Sequence, residues 1–404
     1  MNFSELSKSK NIVFSALLQM KNLNAKRINF IIHLFSLFLS IKGRMNFLQF
    51  ERFGKYDEQT YRNNFEKEFP FLEFNKNVIK EYCSANLAIA FDPSFISKSG
   101  KKTPGTGYFW SGCAGKTKWG LEIAGLAAID CENHSAFHLE AIQTIDLKED
   151  ETLVQHYLNI VLERKKELQE LSKNILVDAY FSKCTFVNPL VKERFTIISR
   201  LRDDANLRYN FDGEQKSGKG RPRKYEGKID FKNLNLSKVK KVSCEEKEEI
   251  FTGFVFSKSL KMIINLVIVK TKKNEKWTHK LYFSTNLEQN WRLILDLYKS
   301  RFQIEFLYRD AKQFTGLNDC EARSENKLKF HFNASLTTIN LAKIAHWLSV
   351  PKEGRGAFSM ADVKTIYHNG LLIDRFIRKF GINPNTTKNK LKLQQLYCFG
   401  RIAA

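Results

Sequence analysis

Two acidic residues each follow an apolar run that is typical of a buried strand. Asp92 follows LAIAF, and Asp178 follows NILV. If the two strands are parallel neighbours, both carboxylates emerge side by side at one edge of a sheet. Adjacent anions repel each other, so such a pair usually shares a proton or binds a divalent cation, and hard carboxylate oxygens suit Mg²⁺. Simpler interpretations stay open, because Asp92 precedes Pro93 and could begin a turn, and Asp178 could cap the following segment.

A third acidic residue lies on a predicted helix, LILDLYKSRFQIEFLYRDAKQFTG, together with other polar side chains. At about 100° per residue, Tyr298, Arg301, Glu305 and Lys312 share one narrow stripe of that helix. One helix face thus combines a phenol, two cations and a carboxylate. A neighbouring stripe is suited to pack against a sheet, and it consists of Leu297, Ile304, Tyr308 and Ala311. The alternative is an ordinary i,i+4 ion pair on a solvated helix.

The spacing Tyr298-x2-Arg301-x3-Glu305-x6-Lys312 resembles the signature of the DDE transposases of the bacterial insertion-sequence-four type. The segment VDAYFSK and the earlier strand-borne acid resemble that family's second and first acidic motifs. The resemblance covers about residues 85 to 320. It implies a catalytic domain with a ribonuclease-H-like fold and a β-rich insertion between the second Asp and the Glu.

The resemblance also implies roles for these residues. Asp92, Asp178 and Glu305 would be the catalytic residues and would hold two Mg²⁺ ions, for which Mn²⁺ could substitute. The other three residues of the signature would bind DNA phosphates near the cut, since Arg can bind phosphate oxygens bidentately and Lys acts as a point charge. The implied activity is cut-and-paste DNA transposition, in which the ends of an insertion sequence are cleaved and their 3′ ends are joined to target DNA.

The implied partners are DNA, as element ends and as target, and a second copy of the chain in a homodimeric synaptic complex. Residues 321–404 are where we expect the dimer interface. Two other functions stay open, because a fold alone does not define function. One is a catalytically silent DNA-binding regulator or decayed transposase copy, and the other is a structure-specific nuclease. The presence of all three acids favours the transposase.

A basic segment, EQKSGKGRPRKYEGK, contains a core that resembles an AT-hook. In such a motif Pro222 keeps the chain extended, so that Arg221 and Arg223 can enter a narrow minor groove. Lys224 completes the predicted DNA-contacting set. The alternative is a solvated basic loop.

Four lysines lie close in the sequence to the first acidic residue. Solvated charge is the simplest interpretation, and contact with DNA phosphates is the alternative. They are Lys98, Lys101, Lys102 and Lys116.

The elements that must position these residues predict an α/β protein, with a ribonuclease-H-like mixed sheet flanked by helices, a β-rich insertion, and helical N- and C-terminal regions. Residues 1–80 are predicted to form a helical domain that binds DNA ends. Residues 81–185 and 281–320 are predicted to form the two parts of the catalytic core, the second with the Glu-bearing helix. Residues 186–280 are the predicted insertion with its basic loop, and residues 321–404 the helical C-terminal region.

Within the first region, a helix up to Phe53, a break at Gly54 and a second helix that begins near Asp57 suggest a helix-turn-helix. Two packed helices with Tyr61 and Arg62 exposed are the alternative.

The core pattern predicts an antiparallel meander of three strands, LAIAFD, GYFWSGCAG and LEIAGLAAID. A helix, ETLVQHYLNIVLERKKELQELSK, follows, and after it a buried strand, NILVDA. The insertion contains the strand candidates FTGFVFS, MIINLVIVK and KLYFST. One helix is predicted from near Trp291 past Lys312.

The composition agrees with a nucleic-acid partner. The chain has 404 residues, with 66 Lys+Arg against 43 Asp+Glu and a formal net charge of +23. Such an excess favours nucleic acid or, less well, an anionic membrane surface. With 43% hydrophobic residues and seven Pro, the composition excludes disordered, collagenous and low-complexity classes.

The cellular location is predicted from what the sequence lacks. The seven cysteines include no CxxC pair, which argues against a zinc site and favours a reducing compartment. The apolar run INFIIHLFSLFLSI is too short for a bilayer, and the N-terminus MNFSELSKSK does not resemble a signal peptide. We therefore expect a bacterial cytoplasmic protein, associated with the nucleoid, with no membrane partner.

Overall fold

The structure is a computed structural model, and it describes residues 4–145, 147, 150–211, 213–215, 222–354 and 357–402. The described part of the chain is a mixed α/β protein in which one 12-stranded, mostly antiparallel sheet is flanked by helices. No helix of these residues is long and apolar enough to cross a membrane.

The N-terminal region folds as five helices that bury one aromatic-rich core. They are α1 (Ser4–Leu18), α2 (Ala25–Ser40), α3 (Phe47–Phe53), α4 (Glu58–Glu66) and α5 (Phe71–Tyr82). The predicted break at Gly54 is confirmed, and the Asp57 carboxylate caps α4 by accepting a hydrogen bond from the Thr60 backbone N–H at 2.6 Å. Tyr61 is buried rather than exposed, and its hydroxyl lies 2.8 Å from Nε2 of His33.

The first four strands form an antiparallel unit around one long central strand. They are β1 (Leu87–Ser97), β2 (Gly107–Ser111), β3 (Lys116–Asp130) and β4 (Ser135–Gln143). β1 pairs along one edge of β3, while β2 and β4 pair with different parts of its other edge. The three predicted strands are confirmed as antiparallel, although they lie in the order β2-β3-β1 rather than in chain order. The predicted succession of three strands and a helix left out β4, which lies between β3 and the next helix.

The chain then adds parallel strands to the other edge of β1. The elements are α6 (Leu153–Glu163), α7 (Lys165–Gln169), β5 (Asn174–Leu176), a short 3₁₀ helix (Ala179–Phe181), α8 (Cys184–Lys192) and β6 (Thr196–Leu201). β5 pairs in parallel with both β1 and β6. β1 and β5 are therefore neighbours that run in the same direction.

The strands predicted for the insertion continue this same sheet. They are β7 (Leu207–Asn210), β8 (Tyr225–Lys228), β9 (Lys240–Cys244), β10 (Glu248–Ser257), β11 (Met262–Lys273) and β12 (Lys276–Ser284). β12 pairs with β6, so the order is β2-β3-β1-β5-β6-β12-β11-β10-β7-β8, with β4 on β3 and β9 on β10. The three strands predicted in this region are confirmed as β10, β11 and β12.

The C-terminal third is helical and partly buried. Its elements are α9 (Trp291–Ser300), α10 (Gln303–Phe314), α11 (Glu325–Ser349), a 3₁₀ helix (Lys352–Gly354), α12 (Met360–Phe380) and α13 (Thr387–Tyr397). α11 is anchored to the sheet because the Asn333 and Asn340 side chains hydrogen-bond with the backbone of β4. The single helix predicted from Trp291 past Lys312 was wrong, since Arg301 and Phe302 form a turn between α9 and α10.

Candidate active site at the ends of strands β1 and β5

The two aspartates lie on neighbouring parallel strands in matching register. Ile89 of β1 is opposite Ile175 of β5, and Ala90 is opposite Leu176. Continued in step, this register places Asp92 opposite Asp178, at the point where β5 leaves the sheet. Burial is the main cause of the raised pKa of Asp92, and the negative charge of Asp178 acts in the same direction.

Of the two simpler interpretations, a turn at Asp92 is not observed and a cap at Asp178 is observed. Asp92 does not begin a turn, because it lies within β1 and pairs with Gly125 of β3. Asp178 does cap the following segment, since its Oδ1 accepts a hydrogen bond from the Tyr180 backbone N–H at 3.0 Å. Capping and a role at the sheet edge are compatible, because a carboxylate has two oxygens that can each accept more than one bond.

Helix α10 is seated directly on the strand that carries Asp92. The buried Tyr308 hydroxyl donates a hydrogen bond to the backbone oxygen of Asp92 at 2.6 Å. Gly125 makes this contact possible, because a Cβ at that position would overlap the Tyr308 hydroxyl oxygen. The sequence placed Tyr308 correctly on the stripe against the sheet, but its contact with Asp92 was not predicted. The glycine within LEIAGLAAID was the available signal.

Arg301 bridges two of the three carboxylates. Its Nη1 lies 3.5 Å from Oδ1 of Asp92, and its Nη2 donates to Oε1 of Glu305 at 2.9 Å. The Arg301 side chain is only 12% exposed, and the Glu305 side chain is 41% exposed. Because Arg301 also contacts Asp92 of β1, the Arg301–Glu305 ion pair is not merely an i,i+4 pair on a solvated helix.

The remaining two residues of the helical pattern also lie on the sheet side. The Tyr298 ring centroid is 5.9 Å from the guanidinium carbon of Arg301. Lys312 donates hydrogen bonds to Oγ of Ser94 at 2.9 Å and to the backbone oxygen of Phe95 at 2.8 Å. Arg301 and Lys312 thus contact β1, and Tyr298 and Glu305 contact Arg301, even though a turn divides their helix.

Burial concentrates perturbed charges at this place. Desolvation raises the pKa of Asp92 to about 7, against the opposing effect of Arg301. Desolvation likewise raises the pKa of Asp178. Desolvation lowers the pKa of Arg301, but the nearby carboxylates and the Tyr298 phenol outweigh it, so the net shift is upward. A buried cluster of this kind is typical of a functional site.

The donor chemistry suits Mg²⁺, while the arrangement of the side chains does not form a complete ligand set. Carboxylate oxygens are the ligands that Mg²⁺ prefers. Among the residues that the structure describes, no group of three or more His, Cys, Asp and Glu side chains is arranged to hold a metal ion. Arg301 lies between Asp92 and Glu305 and supplies the positive charge there. For the three acids to share an ion, their side chains would have to rearrange.

The described end of the basic loop, with Arg223 and Lys224, is not part of this site. Arg221 lies outside the described residues. Arg223 and Lys224 are exposed and precede β8, and the Arg223 guanidinium packs 4.8 Å from the Phe211 ring centroid. In the sheet order, β8 is seven strand spacings from β1, or about 34 Å. These residues could contact DNA only at a place well away from the aspartates.

No protein-family model matches the chain, and no curated protein matches it. Among solved structures, the chain is similar to a chain of the "Cryo-EM structure of piggyBac transposase synaptic complex with hairpin DNA". The alignment covers 100% of this chain and 87% of that chain, with a TM-score of 0.46 and 12% sequence identity. At this level of similarity, function has to be argued from the chain's own residues.

Proposed function

We propose that this chain is a DDE-type DNA transposase that cleaves insertion-sequence ends and joins their 3′ ends to target DNA. One observation carries the proposal: β1, which carries Asp92, pairs in parallel with β5, which ends two residues before Asp178, and Arg301 bridges Asp92 and Glu305. The spatial order β4-β3-β1-β5-β6, with β1, β5 and β6 parallel, supports a ribonuclease-H-like assignment for this part of the sheet.

Asp92, Asp178 and Glu305 are the residues that would hold two Mg²⁺ ions. Bound ions would supply activation of the attacking hydroxyl and stabilisation of the leaving oxygen in an in-line displacement at phosphorus. The chain itself positions Asp92, because Tyr308 fixes its backbone oxygen and β3 fixes its strand. Asp178 is oriented by the Tyr180 backbone N–H.

Arg301 would exchange partners when DNA binds. In the absence of DNA its guanidinium pairs with both Asp92 and Glu305. A phosphate offers the same planar pair of acceptors as a carboxylate, so Arg301 can donate bidentately to a phosphate oxygen pair. This exchange would release Glu305 to face the aspartates and would place the scissile phosphate beside them. Lys312, held by β1, adds a second positive charge on the same side.

The test is a cleavage and joining assay of purified protein with Mg²⁺ on DNA that carries the sequences flanking its own gene. We expect the wild type to cut the element ends and join 3′ ends to target DNA, and Glu305→Gln to lose at least about a hundredfold in rate, the scale of a lost electrostatic contribution to the transition state. Removal of the metal with EDTA should stop cleavage, and Mn²⁺ should restore it. A matched control is Glu321→Gln, because Glu321 is an exposed carboxylate whose only ion pair, with Arg44, spans 3.9 Å in the described structure.

Different outcomes separate the alternatives. Cleavage without joining would identify a nuclease. A catalytically silent DNA-binding regulator is favoured by one observation, the pairing of Asp92 and Glu305 with Arg301. If the wild type and Glu305→Gln bind the ends equally and neither cuts, that second function is correct and the proposed metal site is wrong.

A further inference from the structure

The hairpin β2–β3 exposes three large aromatic side chains at the edge of the sheet. Tyr108 is 74% exposed, Trp110 62% and Trp119 37%. The rings of Tyr108 and Trp119 contact each other edge to face, with centroids 5.4 Å apart. Exposed clusters of large apolar side chains are costly in water and are typical of binding surfaces. We call these three residues the aromatic hairpin.

The aromatic hairpin lies on the sheet face that carries the candidate active site. Directly opposite residues of antiparallel strands point to the same face, and residues two apart along a strand share a face. Asp92 is opposite Gly125, and Trp119 is six residues before Gly125 on β3, so Asp92 and Trp119 share a face. Tyr108 is opposite Trp119, and Trp110 is two residues further along β2. All three rings therefore point to the face that α10 covers at Asp92.

The distance from the aromatic hairpin to Asp92 fits a short stretch of nucleic acid. Trp119 and Gly125, the residue opposite Asp92, are six residues apart on β3, and six residues of extended strand span at most about 20 Å. This corresponds to roughly six nucleotides of a DNA strand at 3.4 Å per step. The signature helix reaches toward the hairpin, because Lys312 donates hydrogen bonds to Ser94 and Phe95, and Phe95 is opposite Glu122, three residues after Trp119 on β3.

The charge around the aromatic hairpin selects an anionic partner. Between Pro93 and Leu121 the sequence contains five lysines and no Asp or Glu. Four of these lysines are exposed, and none of the four forms an ion pair with a carboxylate in the described structure. They are Lys101, Lys102, Lys116 and Lys118. Lysines can also protect a sheet edge from unwanted pairing, but that role does not account for exposed Tyr and Trp rings.

We propose that the aromatic hairpin is a stacking platform for unpaired DNA bases of the strand that enters the active site, with the neighbouring lysines on its phosphates. Aromatic rings stack on any base, and a basic surface follows the backbone, so this combination binds single strands without sequence preference. The inference rests on the proposed function for the path of the strand. The stacking platform requires several unpaired nucleotides beside the cut. The roles proposed for the signature residues do not require this.

The experiment measures binding of full-length protein to a fluorescein-labelled 20-mer of oligo(dT) and to the blunt dT·dA duplex of the same length, without metal. We expect Trp110→Ala to weaken single-strand binding about 5- to 150-fold, the range for loss of one base–aromatic stack. Duplex binding should change less than about twofold. Trp110→Phe should retain most of the single-strand affinity, because it keeps an aromatic face.

The matched control is Trp277→Ala, since Trp277 is also exposed, at 46%, but lies on β12. It should change neither affinity. Equal weakening of both DNA forms by Trp110→Ala, or no weakening, would overturn the stacking platform. So would a loss of self-association in Trp110→Ala by sedimentation velocity, which would make the patch a protein interface.

Failure here is distinguishable from failure of the proposed function. If the wild type does not cut element ends but Trp110→Ala loses single-strand binding selectively, the platform is retained and the transposase is not. If Glu305→Gln abolishes cleavage while Trp110→Ala binds single strands normally, only the platform is lost.

Discussion

At the scale of single residues, the position of Asp92 depends on a tight contact between Tyr308 and Gly125. The tyrosine hydroxyl bonds the Asp92 backbone oxygen at 2.6 Å and occupies the space where a Cβ of residue 125 would lie. Gly125→Ala should therefore lower the free energy of unfolding by about 1–3 kcal/mol, as overpacking does. Tyr308→Phe should lower it by about 1 kcal/mol through the lost hydrogen bond.

The two substitutions should be coupled. Tyr308→Phe removes the overlapping oxygen, so Gly125→Ala should be less destabilising in that background, and relief should be partial because the ring carbon Cζ is 2.9 Å from the Cβ position. Urea unfolding of the wild type, both single variants and the double variant measures this. Strict additivity would contradict the contact.

A second prediction at this scale concerns the effect of Arg301 on cation binding. Its guanidinium competes with any cation for Asp92 and Glu305. Arg301→Gln should therefore bind Mn²⁺ more tightly, by roughly fivefold if the competing ion pair is worth about 1 kcal/mol. The same variant should bind DNA phosphates less well. Isothermal titration with MnCl₂ measures the first effect, with Arg309→Gln as a control because Arg309 pairs with Asp310 instead. Unchanged or weaker Mn²⁺ binding would show that Arg301 does not occupy the cation position.

At the scale of elements, strands with a clear run of apolar, β-branched or aromatic residues could be predicted from the sequence. Strands that depend on side chains far away in the sequence could not. β1, β3, β10, β11 and β12 are apolar, β-branched or aromatic runs, and each was predicted. β4 (SAFHLEAIQ) contains His138 and Glu140, which weaken the pattern. These polar groups are satisfied by Asn333 of α11, nearly 200 residues later, and by Arg164. Only the tertiary fold makes this strand favourable.

The turn between α9 and α10 shows the same limit for the candidate site. No Gly or Pro marks the break at Arg301 and Phe302. The helical stripe was still a useful prediction, because Tyr298, Glu305 and Lys312 all contact β1 or Arg301. The sequence could only assume that β1 and β5 are parallel neighbours. Their pairing depends on how the α6–α7 connection crosses the sheet. The position of β8, which follows the basic loop, at the far end of the sheet had no local signal in the sequence.

Helix α12 is joined to α2 by a buried lysine, which makes stability depend on pH. Lys364 donates to the backbone oxygen of Phe38 at 2.8 Å, and burial lowers its pKa to about 7, with Lys42 acting in the same direction and Asp319 opposing. Between about pH 7 and 10.5 the unfolded chain binds a proton at this lysine that the folded chain does not bind. Raising the pH in this window therefore favours the folded state, by up to roughly 1.4 kcal/mol per pH unit.

We expect the stability of Lys364→Met to lack this component. The difference in free energy of unfolding between the wild type and Lys364→Met should shift in favour of the wild type as the pH rises from 7.5 to 9.5, whichever protein is more stable. Urea denaturation at the two pH values measures it. Lys379→Met, an exposed lysine of the same helix, is the control. A difference that is independent of pH would mean that Lys364 stays protonated in the fold.

At the scale of the whole molecule, the proposed reaction needs two copies of the chain, because two element ends must be brought together. The C-terminal helices offer a surface for this contact. An apolar groove of about 490 Å³ lies between α12 and α13 and includes Phe376, Ile382 and Leu396. Phe380 and Leu391 beside it are 66% and 64% exposed. A patch of this kind is suited to a self-complementary interface around a two-fold axis.

The charge of this region predicts when the dimer forms. Arg378, Lys379, Lys388, Lys390 and Lys392 surround the apolar groove or lie on its helices. Two copies of such a surface repel each other at low ionic strength, and bound DNA or added salt screens that repulsion. We therefore expect a monomer at 50 mM NaCl without DNA, and a dimer at 500 mM NaCl or with element-end DNA. Light scattering during gel filtration measures the mass under each condition. Phe376→Glu should keep the chain monomeric throughout, whereas Phe254→Glu, an exposed phenylalanine on β10, should not. A dimer that forms equally well in Phe376→Glu would place the interface elsewhere.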